Sequence, residues 1–301
     1  MKRKIRLLRV LPFLAKLFKW FVPKLLNFTD FPQVKGNTRL LIEERNAYFR
    51  SALNPVSSDK WNLSIVKLIK SKYISDIKLV RTGSENDGGY FVPESFLINQ
   101  IWVSIGLGHN VEFENDLAAK NCEVTCFDHT IDGRPKQLNK NVNYIDKGWG
   151  SKNEVSSGLP LISLNSMVSL ASNNALNFNA DWCLKFDIEG NEWKCLDQIA
   201  QIRNKPAVIV CELHGLLWGS PLSKSFKVKE LLQFLLKDYF ICYFNGNNYS
   251  PYLNTNKYAL YDIAEFTLIQ KKFTSRKITT VHKARKIESK NNILIEQMPI
   301  R

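Results

Sequence analysis

Residues 101–128 read IWVSIGLGHNVEFENDLAAKNCEVTCFD, and their pattern indicates the fold class. A short apolar run ends in Gly106 and Gly108, a helical pattern follows, and a second apolar run ends at Asp128. A strand, a helix and a strand with short connections predict a right-handed crossover and a parallel sheet. In such sheets ligands bind beyond the carboxyl ends of the strands, which is where both glycines and Asp128 lie.

The same alternation continues along the chain to residue 270. Further strands are predicted at 142–146, 182–188, 207–213, 239–244 and 264–269, and helices at 161–171, 192–202 and 227–236. The last two strands have no long helix between them, which favours an antiparallel strand near one edge. The pattern predicts an α/β fold of the Rossmann-like class, with a mostly parallel seven-stranded sheet and helices on both faces.

Two features precede the alternating region. Residues 30–78 have mostly helical patterns, which Asn54-Pro55 and a Ser-Ser turn are expected to separate. A glycine-rich segment at Asp87-Gly88-Gly89 then predicts a hairpin. We therefore divide the chain into an N-terminal segment (1–29), a helical leader (30–78), an α/β domain (79–270) and a C-terminal tail (271–301).

The positive charge of the chain lies at its two ends. The net charge is +14, and residues 1–29 carry eight Lys or Arg and no acid. Residues 271–301 carry nine basic residues and two acids, so the central region is close to neutral. Nucleic-acid enzymes more often have a basic stripe across the catalytic domain, so a nucleic-acid partner is not expected. The positively charged ends instead favour docking of the protein onto an anionic surface.

Residues 1–26 combine lysines and arginines with apolar side chains at helical spacing. Their longest apolar run is far shorter than the roughly 20 residues that span a bilayer. The pattern is typical of a helix lying in the interface of an anionic membrane, and a helix packed on the domain or an uncleaved export signal are the alternatives. The six cysteines lack metal-binding spacing and fit buried thiols of a reducing compartment. We expect a cytoplasmic protein that this segment brings to the inner membrane face.

Gly106, Gly108 and Asp128 suggest a cofactor that contains a nucleoside. Glycines let the backbone approach a ligand closely, although a plain tight turn also explains them. Asp128 follows Gly106 by 22 residues, a distance at which an acid can accept hydrogen bonds from ribose hydroxyls. The pattern alone leaves S-adenosyl-L-methionine (SAM) and NAD as alternatives.

Four titratable residues follow two later strands. WCLKFDIEG (182–190) carries Asp187 and Glu189, and AVIVCELHG (207–215) carries Glu212 and His214. Alternation along a strand places Glu212 and His214 on one face. Carboxylates and an imidazole in one cleft suit a general base or a divalent metal site. The alternatives are helix-terminal charge for Glu189 and an ordinary loop histidine for His214.

Seven motifs occur in order: RTGSENDGGYFVP (81–93), VSIGLGHNVEFENDLA (103–118), FDHT (127–130), LKFDIEGNEW (184–193), VCELHG (210–215), NGNNY (245–249) and EFTLI (265–269). With these motifs, residues 79–270 resemble the FkbM-type methyltransferases, in the branch that has a DGGY segment before the glycines. The resemblance implies a class I methyltransferase fold. It also implies SAM bound over Gly106 and Gly108, with Asp128 on the ribose. It adds Glu112, Asp146 and Trp149 to the cofactor site, and Asp87, Asn247 and Asn248 to the acceptor site.

The expected activity is O-methylation of a hydroxyl on a sugar, glycan or glycolipid. An alcohol is a weak nucleophile, so we expect His214 or Asp187 to act as base, or a divalent metal such as Mg²⁺ to bridge Asp187 and Glu212. An NAD-dependent nucleotide-sugar oxidoreductase or epimerase is one alternative, but it would need a fuller GxGxxG and a Tyr-x-x-x-Lys pair. A non-catalytic membrane-surface protein and an RNA methyltransferase that grips with its basic ends are the others.

Overall fold

A computed structural model describes residues 55–85, 87–156, 159–171, 180–218, 220, 222, 227–247, 250, 252–254 and 258–274. The predictions for residues 1–54 and 275–301, and for Asn248, lie outside these residues. In the described ranges, no helix is both long enough and apolar enough to cross a membrane.

The helices are α1 (Pro55–Lys72), α2 (Glu112–Ala119), α3 (Leu164–Ala171), α4 (Asp197–Gln201) and α5 (Val228–Leu235). The first eight strands are β1 (Leu79–Thr82), β2 (Tyr90–Pro93), β3 (Ile101–Ile105), β4 (Glu123–Phe127), β5 (Asn143–Ile145), β6 (Gly148–Trp149), β7 (Glu154–Ser156) and β8 (Leu159–Ile162). The others are β9 (Trp182–Phe186), β10 (Val208–Leu213), β11 (Tyr239–Gly246), β12 (Tyr252–Asn254), β13 (Ala259–Tyr261) and β14 (Ala264–Gln270). In the described ranges, 3₁₀ turns lie at Glu94–Phe96, Glu192–Lys194 and Lys271–Phe273.

The central sheet has seven strands in the order β11-β14-β10-β9-β3-β4-β5. The pairs from β10 to β5 are parallel, whereas β14 is antiparallel to both β10 and β11. The prediction of a mostly parallel sheet with one reversed strand near an edge is confirmed. The fold is therefore that of a Rossmann-like class I methyltransferase, and the chain order reverses beside β3, where such sheets bind ligands.

Both faces of the sheet are covered, as predicted. Alternation along β3 sends Val103 and Ile105 to one face and Trp102 to the other. Side chains of α1, α3, α4 and α5 pack on the first face, and those of α2 and the β1–β2 hairpin pack on the second. The apolar burial on both sides fixes the register of the strands and so the positions of the residues at their carboxyl ends.

The predicted hairpin is formed by β1 and β2, which pair from Leu79↔Pro93 to Thr82↔Tyr90. Its turn is held against the segment after β3. The Asn110 side-chain amide donates to the Asp87 carbonyl at 2.8 Å, and the Gly83 N–H donates to the Asp116 carboxylate at 2.8 Å. The hairpin tip therefore lies beside the loop that contains Gly106 and Gly108, which we call the glycine loop.

Two sequence predictions about helix starts are wrong. The Ser-Ser turn does not interrupt a helix, because α1 begins at Pro55 and runs through both serines. Proline is well suited to the first position of a helix, where its missing N–H costs nothing. The helix expected from 161 starts at Leu164, since the residues before it form β8 and pair with β6 and β7. A short apolar run cannot be assigned to strand or helix from periodicity alone.

The helix predicted over 192–202 is instead a 3₁₀ turn followed by the short α4. The backbone enters this region through Glu189 and Gly190, which both have positive φ, at +54° and +92°. The Glu192 carboxylate accepts a hydrogen bond from the Gly190 N–H at 2.9 Å. The tight turn that this bond closes replaces the first turn of the expected helix.

All six cysteines are buried and free, which confirms the prediction of structural thiols. Burial raises the pKa of Cys126, Cys183 and Cys211 well above the usual range. These thiols therefore stay protonated and serve as small apolar side chains in the core.

Candidate active site

The loop after β3 contains two glycines with positive φ, Gly106 at +77° and Gly108 at +59°. A Cβ on Gly106 would lie 1.8 Å from the Asp187 carbonyl oxygen, so this glycine lets the loop pack on the chain that follows β9. A Cβ on Gly108 would meet nothing within 4 Å. Gly108 is also exposed, so the open space beside it is available to a cofactor.

Asp128 holds the glycine loop in shape. Its Oδ2 accepts hydrogen bonds from the Leu107 N–H at 2.8 Å and the Gly108 N–H at 3.1 Å. Its Oδ1 accepts from the Thr130 N–H and hydroxyl at 2.8 and 2.6 Å. Burial acts to raise the pKa of Asp128, but these bonds outweigh it and lower the pKa. The observed role is to order the loop, and binding of ribose by Asp128 stays a prediction.

The other residues predicted for the cofactor site lie around this loop. Glu112 is exposed in the first turn of α2, whereas its neighbour Glu114 is buried and accepts the Ser104 hydroxyl at 2.6 Å. Asp146 is exposed after β5. The Trp149 ring is buried and packs edge-on against Phe186 of β9, with 5.3 Å between ring centroids.

Four carboxylates surround His214 beyond the ends of β9 and β10. We call Asp187, Glu189, Glu192, Glu212 and His214 the carboxylate cluster. The His214 Nε2 lies 3.4 Å from oxygens of both Glu189 and Glu212, and Nδ1 lies 3.0 Å from Glu192 Oε1. The structure thus brings together all four residues that the sequence predicted for catalysis.

Glu192 was not predicted as a site residue. It is fully buried, and its Oε1 also accepts the His214 backbone N–H at 2.7 Å. Together with the bond from the Gly190 N–H, these contacts fix the turn after β9 to the segment after β10. A glutamate in a predicted helix gives no sequence signal for this role, because nothing local distinguishes a buried position from an exposed one.

The carboxylates around His214 favour its charged form. Burial acts to lower the pKa of His214, but hydrogen bonds to Glu189 and Glu192 and the nearby carboxylate charges raise it well above its usual value. Glu189 makes its contact from a left-handed backbone conformation, which costs about 1–2 kcal/mol for a residue with a side chain. Such strain is concentrated at functional sites.

Asp187 joins the cluster to the glycine loop and to the hairpin. Its Oδ2 accepts a hydrogen bond from the Tyr90 hydroxyl at 3.1 Å. The buried Lys185 donates to the Gly106 carbonyl, with its ammonium 5.6 Å from the centroid of the Tyr90 ring. Burial raises the pKa of Asp187, although the charges of Lys185 and His214 oppose this.

Tyr90 and Lys185 were also missed from the sequence. A weak signal existed for Lys185, since it is the only charged residue in the apolar strand β9. Tyr90 is the last residue of the DGGY segment, of which only Asp87 was selected. Asp87 is exposed at the hairpin turn and reaches the glycine loop through its carbonyl group.

Glu212 is in β10, which lies between β9 and β14 in the sheet. Its Oε1 accepts a hydrogen bond from the Asn247 side chain at 2.7 Å. Asn247 is thus placed at the cluster. Burial and the Asp187 charge raise the pKa of Glu212 to about 8. Glu265 of β14, which is opposite Glu212 in the β10–β14 pair, was not predicted as a site residue. Burial and the charges of Asp87 and Asp187 raise the pKa of Glu265 to about 7, although the charge of Arg81 acts to lower it.

This arrangement places a proton acceptor beside a loop with room for a cofactor. The residues fit SAM, because Gly108 leaves open space and the Asp128 carboxylate holds the loop in an ordered shape. Ligand atoms of Asp187, Glu212 and His214 lie within 4.8 Å of one another, a set that could hold a metal ion.

Comparison with known proteins gives one family match. The family described as methyltransferase FkbM domain matches residues 84–242. No curated protein matches the sequence.

Two solved structures of fibrillarin show a distant likeness to the chain. Fibrillarin in its complex with Nop5p is 10% identical, with a TM-score of 0.35 over 57% of this chain and 73% of that chain. The Methanococcus jannaschii fibrillarin, a pre-rRNA processing protein, is 10% identical, with a TM-score of 0.35 over 65% and 83%. The strand order of the central sheet identifies the fold.

Proposed function

Because this chain belongs to the FkbM methyltransferase family, we propose that it transfers a methyl group from SAM to a hydroxyl oxygen of a sugar, glycan or glycolipid. SAM supplies an electrophilic methyl group on a sulfonium. The protein then has to hold the acceptor oxygen in line with that group and take the proton from the hydroxyl.

The observation that carries this proposal is the contact between the glycine loop and Asp187. The Gly106 backbone packs directly on the Asp187 carbonyl, and Lys185 from the same strand donates to the Gly106 carbonyl. A cofactor beside Gly108 and an acceptor at the Asp187 carboxylate would therefore be neighbours. Such proximity is the main requirement for a displacement reaction.

Asp187 is the residue best suited to receive the proton. Its Oδ1 is buried and has no hydrogen-bond partner among the described residues, whereas its Oδ2 is held by Tyr90. Burial raises its pKa, which makes it a stronger base than an exposed carboxylate. His214 is less suitable, because carboxylates of Glu189, Glu192 and Glu212 already face both of its ring nitrogens.

The cluster favours an acceptor that donates hydrogen bonds. The Asp187 and Glu189 carboxylates present oxygens that pair with hydroxyl groups and repel phosphates. A sugar offers several hydroxyls, whereas a nucleic-acid backbone would bring its charge to an already anionic site. This argues for a glycan acceptor over RNA, in agreement with the acceptor expected from the family resemblance.

The test is methyl transfer from radiolabelled SAM to a panel of methyl glycosides and a bacterial glycolipid extract, using the full chain. We expect labelled acceptor with the wild type and a loss of at least about 100-fold in turnover for Asp187→Asn, because general base catalysis contributes that much. Both proteins should still bind SAM. Near-normal turnover in Asp187→Asn would remove this residue from the mechanism.

The matched control is Asp181→Asn. Asp181 is the exposed acid directly before β9, at the opposite end of the strand that leads to Asp187. Its replacement removes one carboxylate from the same strand without touching the cluster, so turnover should equal that of the wild type.

A further inference from the structure

We infer that the carboxylate cluster is a binding site for a hard divalent cation of the Mg²⁺ or Mn²⁺ type, held by Asp187, Glu212 and His214. One ligand atom from each of these residues lies within 4.8 Å of the others. Two ligands on opposite sides of one ion are about 4.2 Å apart when each bond is about 2.1 Å long. A small inward movement of the side chains is therefore sufficient to bind one ion.

The orientation of His214 supports a ligand role. Its Nδ1 faces the buried Glu192 carboxylate at 3.0 Å, and the same oxygen accepts the His214 backbone N–H. Histidines that bind metals almost always donate their other ring N–H to such a partner, which fixes the ring. Here the partner directs Nε2 towards Glu212 and Glu189.

Asp187 provides a second, independent indication. Its Oδ1 is closed off from solvent and accepts no hydrogen bond in the part of the chain that the structure describes. A buried acceptor without a partner is costly, and a bound cation would remove that cost.

The charge balance of the cluster points the same way. Four carboxylates face one imidazole, with the Lys185 ammonium as the next cation, directed at the Gly106 carbonyl. Buried carboxylates require compensation by cations. A divalent ion bound in place of a proton on Nε2 provides more of this compensation, and two of its three ligands would be carboxylates, which Mn²⁺ and Mg²⁺ prefer.

The binding of the ion does not depend on the acceptor, but its use in catalysis rests on the proposed methyl transfer. An ion at this position would lower the pKa of the acceptor hydroxyl. Asp187 would then be a ligand of the ion, and the exposed Glu189 would take the proton that Asp187 takes without the ion. It would also allow a hydroxyl-rich acceptor to bind without repulsion from the cluster.

The experiment measures Mn²⁺ binding to the full chain after treatment with EDTA and dialysis, without SAM or acceptor. Free Mn²⁺ is followed by electron paramagnetic resonance, and binding heat by calorimetry. We expect one Mn²⁺ per wild-type chain and binding at least about 10-fold weaker in Glu212→Gln, the loss typical of a disturbed metal site. Glu123→Gln, which changes an exposed acid at the start of β4, should bind like the wild type.

Melting temperatures separate a lost ligand from a lost fold. The metal-free proteins are compared first, and a cooperative melting transition shows that Glu212→Gln is folded. Mn²⁺ should raise the melting temperature of the wild type and of Glu123→Gln only. No Mn²⁺ binding by the wild type, or equal binding by Glu212→Gln, would overturn the inference.

SAM binding by the same samples keeps the two proposals apart. A chain that binds SAM but no Mn²⁺ overturns the metal site and leaves the methyl transfer standing. A chain that binds Mn²⁺ but no SAM supports the metal site and contradicts the proposed function.

Discussion

Gly106 and Gly108 are two residues apart and both have a positive φ, yet they are glycines for different reasons. The sequence suggested that both let a cofactor approach the backbone. The structure shows that Gly106 lets the Asp187 carbonyl approach, whereas only Gly108 borders open space. The glycine motif therefore predicted the loop but not what each glycine accommodates. The neighbour of Gly106 is Asp187, which follows a strand about 80 residues later in the sequence.

Gly106→Ala should lower the free energy of unfolding by about 3 kcal/mol or more, from the strained φ and the clash with the Asp187 backbone. Gly108→Ala should cost about 1 kcal/mol, from the φ alone. Urea denaturation of both variants measures the difference. Equal destabilisation would contradict the observed packing of the loop.

The sequence predicted Asp187, Glu189, Glu212 and His214 because polar residues at the carboxyl ends of adjacent parallel strands must lie together. It missed Tyr90, which contacts Asp187 from 97 residues away through the hairpin. It also missed Lys185 and Glu192, since a buried charged side chain can be recognised only when its partners are known.

At the scale of elements, Asp262 links the segment before β14 to the segment after β10. Its Oδ1 accepts the Leu217 N–H at 2.9 Å, and its Oδ2 lies 3.3 Å from the Ser220 hydroxyl. Burial raises its pKa from 3.8 to about 6, although the two hydrogen bonds and the His214 charge oppose the shift. The folded protein therefore holds this proton more tightly than the unfolded chain does.

Because the folded pKa is the higher one, this group makes the free energy of unfolding fall as the pH rises from about 4 to about 6, and its contribution is constant above that window. The difference between the two pKa values corresponds to about 3 kcal/mol. Asp262→Asn lacks this ionisation, so the stability of the wild type relative to the variant should decrease by up to that amount. Denaturation of both proteins at several pH values tests this, and a constant or increasing difference between them would rule it out.

The sequence identified the seven strands of the central sheet and its long helices through the periods of their apolar residues. Apart from the Ser-Ser turn that was expected where α1 is continuous, the errors fall on short elements. β6 to β8 and the β12–β13 hairpin were missed, because strands of two to four residues carry too few alternating positions to be recognised. These elements depend on tertiary contacts more than on their own sequence.

For the whole molecule, the strand order joins the two halves of the site. The glycine loop follows β3, the carboxylate cluster follows β9 and β10, and these three strands are neighbours in the sheet.

The membrane-surface prediction for residues 1–26 and the cytoplasmic location stay predictions, since they depend on residues outside the described ranges.

The proposed binding site for SAM is the open space beside Gly108. The matched pair for testing it is Gly108→Asn and Gly133→Asn, because both glycines have positive φ and a Cβ on either meets nothing within 4 Å. Asparagine tolerates this backbone conformation, so the two variants should be similarly stable and differ only in whether the new side chain fills the cofactor site.

Calorimetric titration of the full chain with SAM, S-adenosylhomocysteine and NAD is the most direct measurement. We predict that the wild type and Gly133→Asn bind the first two ligands and not NAD, and that Gly108→Asn binds them at least about 10-fold more weakly, a change of about 1.4 kcal/mol. Binding of NAD in place of SAM, no binding by the wild type, or equal binding by the two variants would contradict the account.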